Sequence, residues 1–118
     1  MTSEQKEWKI RLTLDSTKDA ALTIIKAAQE RSPFIGIDLT TCRLAIHEAV
    51  LNAVKHGGGK AVLTAFGNQK EIRAEIRQQR EIVFPQENQT FKGISLIRRY
   101  AREIEILADK KTLVLRFY

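Results

Sequence analysis

The chain has 118 residues, 43% of them apolar and 29% charged, which suits one globular domain and is too short for two. A domain of this size buries about two thirds of its unfolded surface and needs no disulfide, and the composition excludes fibrous or disordered protein. The net charge of +6 admits nucleic acid, an acidic protein or a phosphate ligand, but the basic residues are scattered apart from Arg98, Arg99 and Arg102. That trio reads as a solvated helix face and argues against nucleic acid.

Trp8 to Leu14 alternates, with Trp8, Ile10, Leu12 and Leu14 on one side and Lys9, Arg11 and Thr13 on the other, as a half-buried strand does. Trp8, on the inward side, belongs to the core. Ser16 and Asp19 form a capping box with Asp in place of Glu. Ala20, Ala21, Ile24 and Ala28 then make a helical stripe that ends near Arg31, before Ser32-Pro33. Asp38 or Thr40 caps a second helix, which carries Cys42, Ile46, Ala49, Val50 and Ala53 and stops at Gly57-Gly58-Gly59. Lys60 to Phe66 and Glu71 to Gln78 are strands about a turn at Gly67-Asn68-Gln69. Gly93 to Arg102 is a third helix, and Glu103 to Leu107 with Thr112 to Phe117 is a closing hairpin about Asp109-Lys110. Strands in hairpins favour an α+β fold: a two-layer sandwich whose mixed, mostly antiparallel sheet is covered on one face by three helices. Residues 1–118 read as one domain, and the start together with the strand running to Tyr118 favours an entire protein.

No segment reaches the roughly 20 apolar residues of a membrane span, and MTSEQKEWKI has no apolar stretch for a signal peptide. Cys42 is the single cysteine, so no internal disulfide forms, and a cytoplasmic setting is favoured. It has Ile46 at i+4, so no catalytic dyad is built on it. His47-Glu48 opens like a metalloprotease motif, but Leu51 occupies the second ligand position. Gly57-Gly58-Gly59-Lys60 lacks phosphate-loop spacing and reads as a helix stop, where His56 can serve as a cap.

Glu48, Asn52 and His56 stand at i, i+4 and i+8 and share one helix stripe. Spacing alone leaves two readings open. They can decorate a solvated face, or they can serve phosphate chemistry, with the amide oxygen on magnesium and the carboxylate orienting a hydroxyl or water.

The run Glu48-x-x-x-Asn52-Ala53-x-Lys55-His56 resembles the N box of the GHKL superfamily, which has the Bergerat ATP-binding fold. Phe91 to Ile106, with Gly93-Ile94-Ser95 opening its helix, resembles the second glycine box of the anti-sigma factor and serine-protein kinase branch. The resemblance spans roughly residues 8 to 117. It implies Glu48 as the catalytic carboxylate, Asn52 as the magnesium ligand, Lys55 as a phosphate contact and His56 beside them. Backbone at Gly93, Ile94 and Ser95 would face the phosphates.

The family's Asp-x-Gly-x-Gly motif is missing. Gln78 stands where its adenine-binding Asp belongs, and Arg80 and Ile82 stand where its glycines belong. Phe91 replaces the leading glycine of the second box, and only Val83 to Lys92 is left for a lid. Losing a hydrogen bond to a charged group weakens binding about ten- to a hundred-fold, although the Gln78 amide oxygen can accept in its place. Side chains at 80 and 82 would take up space the base needs. The implied function is an anti-sigma-factor-like regulator that binds a sigma factor or an anti-sigma factor antagonist, with ATP and magnesium weak or absent. The alternative is an active ATP- and magnesium-dependent serine/threonine protein kinase acting on such an antagonist. Related regulators often form homodimers.

Overall fold

A computed structural model describes residues 7–15, 20–32, 35–83 and 92–118, with only the backbone considered at 92–94. The elements run β1 (Trp8–Leu14), α1 (Ala21–Arg31), α2 (Leu39–His56), β2 (Ala61–Gly67), β3 (Ile72–Gln78), α3 (Lys92–Tyr100), β4 (Glu103–Ile106) and β5 (Thr112–Phe117). The five strands form one sheet in the order β1-β2-β3-β5-β4. Every pairing among the described residues is antiparallel, so the sheet expected to be mixed and mostly antiparallel has no parallel pair there. The physical reason is the connectivity: β2–β3 and β4–β5 are hairpins, and each remaining neighbour also reverses direction.

Alternation decides which face is buried. Ala61, Leu63 and Ala65 of β2, Ile72, Ala74 and Ile76 of β3, and Leu113, Leu115 and Phe117 of β5 join one core with Ile24, Ile46, Val50 and Ile97 from the three helices. Lys9, Arg11, Thr64, Arg73, Glu75 and Arg77 take the other parity and are exposed or half-buried. Trp8 is buried, and its indole N–H donates to Ser32 Oγ. The capping box expected at Ser16 and Asp19 lies outside the described residues. Helix α3 begins one residue earlier and ends two residues earlier than the sequence pattern suggests.

Candidate functional site

Helix α2 carries the site. Asp38 caps it, its carboxylate accepting from Thr40 N at 3.0 Å and Thr41 N at 3.4 Å. Its buried stripe is Cys42, Ala45, Ile46, Ala49, Val50, Ala53 and Val54. Glu48 and Asn52 flank that stripe and are half-buried. The helix stops at Gly57, whose N–H donates to Ala53 O at 2.9 Å. The glycine run is therefore the helix stop read from the sequence.

Between α2, α3 and the sheet lies a cavity of about 40 Å³, lined by Ala49, Asn52, Ala53, Ile76, Gln78, Ile82, Ile97 and Leu113. Its walls are almost wholly apolar; Asn52 and Gln78 bring the polar groups. The Gln78 amide nitrogen donates to Arg80 O at 2.9 Å, which leaves the amide oxygen as its acceptor.

The segment after β3 is held by backbone. Gln79 N and Arg80 N both donate to Gly57 O at 2.9 Å, and Ile82 N donates to Lys110 O at 2.7 Å. These bonds fix the half-buried Ile82 side chain against the cavity. Arg80, expected to crowd the same space, is exposed and does not line it.

Of the residues singled out in the sequence, the structure brings Asn52 and Gln78 together at this cavity. Glu48 lies one turn away on the same stripe and outside the lining. Lys55, His56 and Ser95 are exposed. Gly93 and Ile94 sit in the first turn of α3, where only the backbone is described. Ile97 and Leu113 were missed: both complete the cavity from elements remote in sequence, and neither carries a polar group to draw attention. Among the described residues no cluster of three His, Cys, Asp or Glu side chains could hold a metal. Cys42 is fully buried, and burial first, then the nearby Asp38 charge, push its thiol up to about 12, so it is no nucleophile. No described helix is long and apolar enough to cross a membrane.

No family model matches this chain, and no curated protein does. A solved structure does match: the crystal structure of the RsbU and RsbW domains of Rv1364c from Mycobacterium tuberculosis. The likeness covers 93% of this chain with a TM-score of 0.57 and 23% identity. The chain has the Bergerat-type fold. The cavity beside Asn52 lies between the helices and the sheet of that fold. This chain spans 31% of the length of the matched one.

Proposed function

We propose that this chain is a small cytoplasmic regulator of transcription that acts as an anti-sigma factor does, by holding a protein partner, with weakened or lost ATP binding. The reading rests on the Bergerat-type fold and on the resemblance of Glu48-x-x-x-Asn52-Ala53-x-Lys55-His56 and Phe91 to Ile106 to the anti-sigma branch. The solved structure with an RsbW domain supports the same direction.

The observation that carries the reduced-nucleotide reading is the cavity beside Asn52. Sites for ligands of nucleotide size measure about 300–1,000 Å³, whereas this one measures about 40 Å³. Ile82 stands against it, and its backbone is tied to Lys110 O. A purine does not fit this space without moving Ile82, and a mostly apolar lining offers little to a triphosphate. The partner proposed is a sigma factor or an anti-sigma factor antagonist, bound on the helical face.

Calorimetric titration with ATP and ADP in the presence of magnesium tests the nucleotide half, with Asn52→Ala as control. Undetectable or millimolar binding is the expected result. Micromolar binding that Asn52→Ala abolishes overturns it in favour of an active serine/threonine kinase with Glu48 as base. The partner half is tested by titrating purified sigma factors and antagonist domains of the host without nucleotide. One of them binds the protein as isolated; binding only with ATP present would refute the proposal.

A further inference from the structure

We propose a second ligand site, on the sheet side of the molecule, that takes a phosphate-bearing small molecule with two or more negative charges. A groove of about 390 Å³ is lined by Thr13, Lys60, Ala61, Val62, Arg77, Gln78, Gln79 and Lys111. Among the described residues its lining holds three cations and no carboxylate. The other large groove, about 430 Å³, is lined by Lys9 and Arg73 but also by Glu7 and Glu71, so its charges cancel. The contrast separates a groove lined by both signs of charge from one whose described lining gathers positive charge alone.

Three separate stretches of chain supply those cations. Lys60 leaves the glycine run that ends α2, Arg77 stands on the exposed parity of β3, and Lys111 follows the β4–β5 turn. Like charges repel, so their gathering in one concave surface favours an anion there. The Asp109 carboxylate stands close enough to feel the Arg77 charge, but its hydrogen bonds go to the turn before β5 and not into the groove. It accepts from Lys111 N at 2.8 Å, Thr112 N at 3.0 Å and Thr112 Oγ1 at 2.9 Å. Hydrogen bonds from these donors hold its carboxyl below the usual range, with a smaller contribution from the Arg77 charge.

The backbone that carries the walls is fixed before any ligand arrives. Gly58 adopts φ +111°, and a Cβ there would lie 2.7 Å from Gln79 Oε1, so the Gln79 side chain rests directly on the glycine backbone. Gln78 N donates to Lys111 O at 2.9 Å, and Gln79 N donates to Gly57 O at 2.9 Å. The backbone beneath the groove is thus ordered in advance, and only the exposed Lys60 and Arg77 side chains are left to order on binding. Its volume falls in the range of small-molecule sites. Thr13 and the two carboxamides add neutral donors beside the cations. Gln78 also borders the cavity beside Asn52, so it forms the partition between the two spaces.

Inorganic pyrophosphate is the probe, titrated calorimetrically into the full chain at physiological ionic strength. One saturable site is expected, with affinity lowered about tenfold or more by Arg77→Gln and by Lys60→Ala, since each removes a charge-assisted contact. Lys70→Ala, which removes an exposed lysine outside the groove, and Asn52→Ala should leave it unchanged. Thermal unfolding gives a second reading: pyrophosphate raises the transition of the wild type and not of Arg77→Gln. Absence of saturable binding up to millimolar probe overturns the proposal. So does an equal loss in Lys70→Ala, which marks diffuse charge, or a loss in Asn52→Ala but not in Arg77→Gln, which places the anion in the other cavity.

Discussion

The Trp8 indole N–H donates to Ser32 Oγ at 2.8 Å, with both residues buried. This bond ties the edge strand β1 to the end of α1, 24 residues away. Removing the acceptor leaves a buried N–H unsatisfied, at a cost of about 1–3 kcal/mol. Ser32→Ala should therefore lower the unfolding temperature by roughly 4 °C for each kcal/mol lost. Trp8 is the single tryptophan, so its fluorescence reports the environment directly. An unchanged transition and an unchanged spectrum would show that the bond contributes nothing.

Two glycines should behave oppositely. A Cβ at Gly57 would clash with Ala53 O and lie 2.6 Å from Gln78 Cβ, while one at Gly36 meets nothing within 4 Å. Gly57→Ala forces α2 away from the end of β3 and breaks up the bonds that Gln79 and Arg80 make to Gly57 O. Overpacking of this kind costs about 1–3 kcal/mol. Gly36→Ala should be neutral within about 0.5 kcal/mol. Denaturant unfolding of the pair decides the matter; equal effects would contradict the packing described.

Cys42 gives the protein an alkaline limb. Burial pushes its thiol from the ordinary 9.0 to about 12. Across that window the unfolded chain releases the thiol proton while the folded chain retains it. The unfolded state then binds fewer protons, and stability falls as pH rises. The contribution is whole below pH 9 and is lost progressively towards pH 12, by at most about 1.4 kcal/mol per pH unit. In Cys42→Ala the slope of stability against pH should be shallower over this window than in the wild type. Equal slopes would mean that the thiol ionises in place.

The fold was legible because its signals are local. Ile72, Ala74 and Ile76 against Arg73, Glu75 and Arg77 announce a strand with one buried face, and that face is the one the helices cover. Asp38 opens α2 through its carboxylate, and the glycine run closes it, with Gly58 and Gly59 at positive φ. Half of the candidate site was legible for the same reason, since the spacing of Glu48 and Asn52 is read along one helix. The cavity lining was not, because Asn52, Gln78, Ile97 and Leu113 meet only through tertiary packing. Nor could sequence show that Arg80 turns to solvent while Ile82 turns inward, since that depends on Gly57 O capturing two successive N–H groups. The grouping of Lys60, Arg77 and Lys111 is hidden likewise, as the three sit 17 or more residues apart in the chain.

If Ile82 and the lost acidic group are what weaken nucleotide binding, restoring both should recover it. Ile82→Gly removes the side chain beside the cavity, and Gln78→Asp supplies a charged acceptor for an adenine amino group. The charged hydrogen bond alone accounts for about ten-fold in affinity or more. The double variant should bind ATP with magnesium at least that much more tightly than the wild type, and adding Asn52→Ala should remove the gain. Its stability should fall, because a half-buried isoleucine is lost and a glycine adds about 0.5–1 kcal/mol of backbone entropy. Circular dichroism is therefore run first, and binding is compared at a temperature where both proteins are folded. A folded double variant with no gain in affinity would place the defect elsewhere in the pocket. The short stretch between Val83 and Lys92, which has little chain to close over a triphosphate, would then be the next segment to replace.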